Sequence, residues 1–238
     1  MCRMVGIIAK APVPATYELL TASHSLLWLS RNGRRWRLPG GRGPHDDGWG
    51  LAWHENGAMR VEKRGQPACT DPSFIQVAGG VNTDILIGHA RKASLGMNIS
   101  DANAHPFSKD GLVLAHNGDI DLPPDGNGAD IIDSQRFLHW IANNWDRTED
   151  DLLRTLQEAT GFRHTSLSFL MSDGRRLYAL RQTKLRTEYL DYYSLYVKHT
   201  RDKTTIASEP LDDSPGWSPV DNGTLLILEA GKQKRLTL

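Results

Sequence analysis

The residue that is best suited to act as a nucleophile is the second residue of the chain. The sequence opens Met1-Cys2-Arg3. If Met1 is removed, Cys2 carries a thiol nucleophile and a free α-amine that can act as its base. An α-amino group has a reference pKa of about 7.7–8.0, so a useful fraction is unprotonated at neutral pH. The alternative is that Cys2 is only the first residue of a buried strand, since free cysteines are commonly buried.

Five further segments place polar or glycine residues at the end of an apolar stretch. They are Asp47-Gly48-Trp49-Gly50-Leu51-Ala52, Gly88-His89-Ala90-Arg91-Lys92-Ala93-Ser94-Leu95-Gly96, Asn103-Ala104-His105-Pro106-Phe107, Leu114-Ala115-His116-Asn117-Gly118-Asp119 and Ile132-Asp133-Ser134. Each has an ordinary structural explanation when taken alone. Asn117-Gly118 is a common turn dipeptide, Arg91 can be a surface arginine at a strand end, and Asp133 can cap a helix, which contributes about 1 kcal/mol.

These segments, in this order behind Cys2, resemble the glutaminase domain of the class II glutamine amidotransferases, which are N-terminal nucleophile hydrolases. The motifs carry the resemblance from Cys2 to about residue 138. It implies a single domain over residues 1–238 with a four-layer α-β-β-α sandwich. It also implies an enzyme that hydrolyses a γ-glutamyl amide, such as L-glutamine, through a γ-glutamyl thioester and releases glutamate with ammonia or an amine.

The resemblance also assigns catalytic roles to individual residues. Cys2 would attack the amide carbon, and its α-amine would accept the thiol proton and return a proton to the leaving amine. The side-chain amide of Asn117 and the backbone N–H of Gly118 would stabilise the oxyanion of the tetrahedral intermediate. Removing one such donor typically lowers the rate by about 10²–10³.

Substrate binding is expected from a second group of residues. The guanidinium of Arg91 can hold the substrate α-carboxylate through two parallel hydrogen bonds, with Ser94 assisting, and Asp133 would pair with the α-ammonium. His105 is expected to support the site, and the loop that carries Trp49 is expected to shape the pocket around Cys2. Leu95 departs from the histidine found in relatives that make amino sugars.

The elements that must position these residues can be predicted from hydrophobic patterning. Apolar strands are predicted over residues 2–8, 51–53, 59–63, 85–90, 112–116, 167–171, 177–181, 193–198, 204–207 and 225–228. Helices are predicted over residues 17–29, from Asp133, and from Thr148. Because the order is strands, helices, strands, with no alternating βαβ units, we expect an α+β domain with two packed, mostly antiparallel sheets.

Composition narrows the function class. The chain has 28 basic and 28 acidic residues, so no net field favours nucleic acid or an acidic membrane surface. The arginines of residues 31–42 are expected to form a solvated loop or to line an exit for a large leaving group. Two cysteines, Cys2 and Cys69, do not form a disulfide framework, and no apolar run is long enough to span a membrane. Because the cysteines are few and the N-terminus lacks a signal-peptide pattern, we expect a cytoplasmic protein. We expect no metal or cofactor, since metal-ligand spacings and a phosphate loop are both missing from the sequence.

Three interpretations of the protein's partner and substrate fit the sequence. Because the sequence ends at Leu238, no second synthase domain is expected within it. It can be the ammonia-producing subunit of a complex with a synthase. Alternatively, it can be a free-standing hydrolase of a larger γ-glutamyl compound, and it is similar to the amidohydrolase of the ergothioneine pathway in length and in its Met-Cys-Arg start. A third interpretation is a non-catalytic binding protein that has kept the fold.

Overall fold

Two antiparallel sheets packed face to face form the centre of the molecule. The computed structural model describes residues 2–35, 40–123, 131–184 and 191–238. The strands are β1 (Arg3–Pro14), β2 (Gly33–Arg34), β3 (Arg42–Gly43), β4 (Trp49–Glu55), β5 (Ala58–Arg64), β6 (Asn82–Ala90), β7 (Phe107–Lys109), β8 (Leu112–Asn117), β9 (Ser168–Ser172), β10 (Leu177–Arg181), β11 (Tyr196–His199), β12 (Lys203–Ala207), β13 (Ser218–Pro219), β14 (Thr224–Glu229) and β15 (Lys232–Thr237). The helices are α1 (Leu26–Asn32), α2 (Pro72–Gly80), α3 (Asp133–Asn144) and α4 (Glu149–Ala159), and a π-helical turn covers Tyr17–Thr21.

The first sheet has seven strands in the order β13-β11-β12-β1-β6-β4-β5, and the second has six in the order β15-β14-β10-β9-β8-β7. All strand pairs in both sheets are antiparallel. β2 and β3 form a separate short ribbon. The first strand, β1, therefore lies in the middle of its sheet between β12 and β6.

Three apolar cores separate four layers. One core lies between α1, α2 and the first sheet, and another lies between α3, α4 and the second sheet. The third core fills the space between the two sheets. This arrangement confirms the predicted α-β-β-α sandwich. None of the helices among the described residues is long and apolar enough to cross a lipid bilayer.

Most predicted elements are present, with three corrections. The helix predicted over residues 17–29 is broken. The π-helical turn ends at Ala22, whose backbone is extended, and α1 begins after Ser25, which caps it by accepting the Trp28 N–H. Helix α2 was missed; its start is marked by Asp71, which caps Ser73, followed by Pro72 at the first helical position.

The third correction concerns the start of α3. Ile132 occupies the N-cap position and makes no side-chain cap bond, whereas Asp133 is the first helical residue. Asp133 is therefore not a helix cap. The predicted cap of α4 is confirmed, because the Thr148 side chain accepts the Asp151 N–H.

Strand alternation decides which side chains reach the layer between the sheets. In β1, Met4 and Ile8 point into that layer, while Val5 and Ile7 point toward α1 and α2. Because successive side chains alternate, Cys2 shares the side of Met4. The same parity places His89 and Arg91 on the inner side of β6, and Asn117 on the inner side of β8.

Gly50 lets a neighbouring loop close over the end of β4. A Cβ atom at this position would lie 2.0 Å from the backbone oxygen of His105 and 2.8 Å from the Cβ of Lys63. Real Cβ atoms do not approach backbone oxygen so closely. The absence of a side chain at residue 50 therefore allows the His105 backbone to lie against β4.

We expect Gly50→Ala to lower the free energy of unfolding by about 1–3 kcal/mol, the usual cost of overpacking. Gly79→Ala is the matched control, because a Cβ atom at residue 79 would meet nothing within 4 Å and Ala favours helix. Urea unfolding of both variants measures the effect. A Gly50→Ala variant as stable as the Gly79→Ala variant would contradict this packing argument.

Candidate active site

The Cys2 thiol lies at the end of the layer between the sheets, beside the backbone of Lys92. The Lys92 N–H donates to Cys2 Sγ at 3.4 Å, and Sγ lies 3.8 Å from the Lys92 carbonyl oxygen. These two backbone contacts fix the position of the sulfur atom at the wall of the cleft. Sequence reasoning missed this donor because a backbone group carries no residue-type signal.

Asn117 holds Cys2 through both of its amide atoms. Its Oδ1 accepts the Cys2 backbone N–H at 3.0 Å, and its Nδ2 donates to the Cys2 carbonyl oxygen at 3.2 Å. An amide nitrogen carries two hydrogens, so one of them is used on Cys2. The predicted catalytic pair of Cys2 and Asn117 is thus in direct contact, although they are 115 positions apart in the sequence.

Gly118 follows Asn117 in a backbone conformation that excludes other residues. Its φ is 155°, and a Cβ atom here would lie 1.8 Å from the Ser166 backbone oxygen. The chain must pass close to Ser166 at the point where β8 ends. This close approach accounts for glycine and brings residue 118 to the wall of the cleft that contains Cys2.

Arg91 is buried beside Cys2, because β1 and β6 pair with Arg3 opposite Ala90. Its Nη1 donates to the carbonyl oxygens of Asn98 at 3.2 Å and Asp47 at 3.5 Å. Among the described residues, no carboxylate forms a salt bridge with it. A guanidinium is always charged, and a buried charge needs compensation, so the site is suited to an anionic ligand.

The segment Asp46-Asp47-Gly48 supports the residues around Arg91. Asp47 Oδ2 accepts the Ala93 N–H at 2.9 Å, and the Arg91 N–H donates to the Gly48 oxygen at 2.8 Å. The Lys92 ammonium pairs with Asp46 at 2.9 Å and with Asp47 at 3.0 Å. These contacts fix the strand end on which both the sulfur-binding N–H and the guanidinium depend.

The predicted ammonium-binding residue, Asp133, also lines the cleft. Its Oδ2 accepts the Ile120 N–H at 3.0 Å, which ties the start of α3 to the segment that follows Gly118. Ser94 lines the cleft as well, and its hydroxyl donates to Asp119 Oδ1 at 3.1 Å. Sequence reasoning included Asp119 in the segment that ends at this residue but gave it no role.

Two buried histidines in the cleft wall are kept neutral. Burial lowers the pKa of His105 well below its usual value, and neighbouring His89, stacked at 4.3 Å between ring centroids, acts in the same direction. Burial also lowers the pKa of His116, although Asp133 opposes the shift. His116 Nε2 must donate to the Ser166 carbonyl at 3.0 Å, so its Nδ1 accepts from the Ser134 hydroxyl at 2.9 Å.

Trp49 does not reach the cleft, and its predicted place in the substrate site is wrong. Its ring is fully buried on the helix side of the first sheet, where Nε1 donates to Asp71 at 2.7 Å and the ring packs against Phe74. The reason is strand alternation: Trp49 and Leu51 share the face toward α1 and α2. His45 is likewise absent from the cleft wall; it is buried, and its Nδ1 contacts the Gly43 oxygen.

The arginines expected to line an exit have structural partners instead. Arg31 donates to the Cys69 carbonyl at 2.8 Å, and Arg34 and Arg42 both pair with Glu209. None of these arginines lines the cleft that contains Cys2. Arg37 lies outside the described residues.

The contacts of Glu209 give a role to the Ser208-Glu209 segment. Glu209 is 2% exposed, and its Oε1 accepts from Arg3 Nη1 at 3.1 Å and from the Arg34 N–H at 2.8 Å. Arg3 is fully buried, donates to the Tyr192 oxygen at 3.1 Å and lies over the Tyr192 ring. The Ser208 hydroxyl accepts the Met4 N–H at 2.9 Å. Residues 208 and 209 therefore anchor the two residues that follow Cys2.

The cleft is large and chemically mixed. Its volume is 910 Å³, and its wall includes Cys2, Arg91, Asn117, Gly118, Asp133 and His105. Ligand pockets commonly span about 300–1,000 Å³, so this one is at the upper end. Within the described ranges, no group of three or more His, Cys, Asp or Glu side chains has a geometry that could hold a metal ion.

Comparison with known proteins agrees with this geometry. The family described as glutamine amidotransferases class-II matches residues 18–237. The γ-glutamyl-hercynylcysteine sulfoxide hydrolase of Mycolicibacterium smegmatis is 32% identical over 185 residues, which cover 76% of each chain.

Solved structures share the fold. A glutamine aminotransferase class-II domain protein from Silicibacter pomeroyi has a TM-score of 0.68 at 18% identity and covers 99% of both chains. A glutamine phosphoribosylpyrophosphate amidotransferase from B. subtilis has a TM-score of 0.66 at 19% identity, over 99% of this chain and 49% of that one.

The two-sheet sandwich is therefore the fold of amidotransferases of known structure. The chain belongs to the class II glutamine amidotransferases. It is an amide-hydrolysing enzyme, and the non-catalytic interpretation is set aside.

We expect Glu209→Gln to destabilise the protein by about 3 kcal/mol, because it leaves the buried Arg3 guanidinium without a counter-charge. Turnover should fall more than stability alone explains, since Arg3 fixes the position of Cys2. Glu158→Gln is the control; its partner Arg154 is half exposed, and such a pair contributes at most about 1 kcal/mol. Unfolding free energies and kcat measured well below the unfolding temperature test this role, and a Glu209→Gln enzyme with normal kcat would refute it.

Proposed function

We propose that this protein hydrolyses the γ-glutamyl amide bond of a substrate larger than glutamine, with Cys2 as the nucleophile. The observation that best supports this proposal is the position of Cys2. Its sulfur accepts the Lys92 N–H and its backbone is held by Asn117, at the wall of a 910 Å³ cleft. The volume of that cleft supports a leaving group larger than ammonia. The name of the M. smegmatis relative, a γ-glutamyl-hercynylcysteine sulfoxide hydrolase, points to the same substrate class.

The proposed reaction begins when Met1 is removed. The freed α-amine, placed by Asn117 Oδ1, would accept the thiol proton, and the sulfur would attack the γ-carbonyl carbon. The second hydrogen of Asn117 Nδ2 and the Gly118 N–H would stabilise the oxyanion. The C–N bond then breaks, the amine leaves with a proton from the α-amine, and water hydrolyses the γ-glutamyl thioester to glutamate.

Recognition of the γ-glutamyl group would use charges at the closed end of the cleft. Arg91 is 3% exposed and lacks a carboxylate partner among the described residues, so it would bind the α-carboxylate. Asp133 would bind the α-ammonium, and Ser94 and neutral His105 would complete the pocket as polar neighbours. A partner synthase is not needed for this reaction.

The decisive experiment compares glutamine with a panel of N-substituted γ-glutamyl amides. We expect kcat/KM to be higher for members of the panel than for glutamine, and Cys2→Ala to abolish turnover of both. Cys69→Ala is the control, since Cys69 lies outside the cleft. A glutamine-like electrophile such as diazo-oxo-norleucine should label Cys2 only, on a chain whose intact mass lacks Met1. If glutamine is the best substrate and a co-purifying synthase accelerates it, the protein is an ammonia donor instead.

Two substitutions separate oxyanion stabilisation from substrate binding. Asn117→Ala should lower kcat by about 10²–10³, because it removes an oxyanion donor. Arg91→Lys should mainly raise KM, because an ammonium cannot reproduce the paired hydrogen bonds of a guanidinium. Steady-state kinetics with the best panel substrate distinguishes the two effects. The same pattern of change in both variants would show that the two roles are not separate.

A further inference from the structure

Among the described residues, the cleft contains more arginines without a carboxylate partner than a γ-glutamyl group requires. Besides Arg91, its wall includes Arg136 and Arg163. Among the described residues, neither of them forms a salt bridge, and Arg136 Nε is buried without a hydrogen-bond partner. Both guanidinium groups are charged at every physiological pH. Three carboxylates, those of Asp119, Asp121 and Asp133, share this wall but lie beyond salt-bridge distance of the arginines.

The two arginines stand on segments that are joined to the catalytic strand end. Arg136 follows Asp133 by three residues in α3, so both lie on neighbouring positions of one helix face. Arg163 lies after α4, where its carbonyl oxygen accepts the Asp121 N–H at 2.9 Å. A β-bridge between Ile120 and His164 fastens this segment to the residues that follow Gly118. Arg136 and Arg163 are thus held in the cleft wall by segments that are fastened to the residues following Gly118.

Arg91 differs in burial from Arg136 and Arg163. Arg91 is almost completely buried next to Cys2, whereas Arg136 is half buried and Arg163 is exposed. A substrate whose scissile amide lies at Cys2 must place its γ-glutamyl end in the closed region. Its leaving group must then extend toward the open part. The single carboxylate of the γ-glutamyl group is satisfied by Arg91, so a second anionic group has to come from the leaving amine.

We infer that Arg136 and Arg163 form a carboxylate subsite for the leaving group. The substrate class is a γ-glutamyl amide whose amine portion is itself an amino acid or an amino-acid derivative with a free carboxylate. A guanidinium binds a carboxylate through two parallel hydrogen bonds, which gives direction as well as charge. This inference rests on the proposed function and adds to it the chemistry of the amine that is released.

The test uses two substrates that differ only by this carboxylate, γ-glutamyl-L-alanine and γ-glutamyl-ethylamine. For the unmodified enzyme, we expect kcat/KM to be at least tenfold higher for the alanine compound. In Arg163→Gln and in Arg136→Gln, the ratio of the two kcat/KM values should fall by about tenfold to hundredfold, the usual effect of losing a charged hydrogen bond. Arg175→Gln is the control, because Arg175 is exposed, pairs with Glu229 and does not line the cleft; it should leave the ratio unchanged.

Binding measurements keep the test independent of turnover. In a Cys2→Ala background, calorimetry should show tighter binding of γ-glutamyl-L-alanine than of γ-glutamyl-ethylamine, and Arg163→Gln should remove that difference. An unmodified enzyme that does not distinguish the two compounds would overturn the inference. Equal losses for both compounds in the arginine variants would also overturn it, since the arginines would then bind the γ-glutamyl group. Failure of the proposed function appears differently, as hydrolysis that survives Cys2→Ala.

Discussion

The buried ion pair between Arg3 and Glu209 is the constraint on which the site depends. Cys2, the nucleophile that we propose, lies directly before β1 and takes its position from that strand. A slip of one residue in β1 would turn Cys2 to the opposite face of the sheet. Such a slip would also take the fully buried Arg3 guanidinium away from Glu209 and leave a charge without compensation, which is costly in the protein interior. Glu209 also holds Arg34 and Arg42, so the same carboxylate connects β1 with the ribbon of β2 and β3.

Once the register of β1 is fixed, sheet geometry brings Arg91 and Asn117 close to Cys2. β1 and β6 are neighbours in one sheet, and β8 belongs to the other. Alternation directs Cys2, Arg91 and Asn117 into the layer between the sheets, at the end where this layer opens. The apolar residues that fill the rest of this layer keep the two sheets in place. The residues that we propose for binding and catalysis therefore continue a hydrophobic core, and the distances between them are set by sheet packing.

The basic side chains around the cleft are of two kinds, histidines with a lowered pKa and arginines that stay charged. Burial lowers the pKa of His105 and His116, so these imidazoles contribute polarity without charge. The arginines remain charged under all conditions. Recognition of ionic groups therefore falls to guanidinium and carboxylate side chains. The residues at strand ends are those that we propose for the chemistry shared by the family. Arg136 and Arg163, on α3 and on the segment after α4, are those that we propose distinguish one leaving group from another.

The sequence by itself determined the fold class, the family and the residues at the strand ends. Apolar alternation, a cysteine at position 2 and glycine-containing motifs are local signals, and each can be recognised without knowledge of distant residues. It also predicted most strands and the cap of α4. It did not reveal which face of β4 Trp49 occupies, since both faces of that strand are apolar. Nor did it show that the arginines near residues 31–42 are bound by Glu209, or that Lys92 contributes a backbone donor. Those features depend on pairs of residues up to 206 positions apart, and such contacts exist only after the two sheets and the chain segments beside them have packed together.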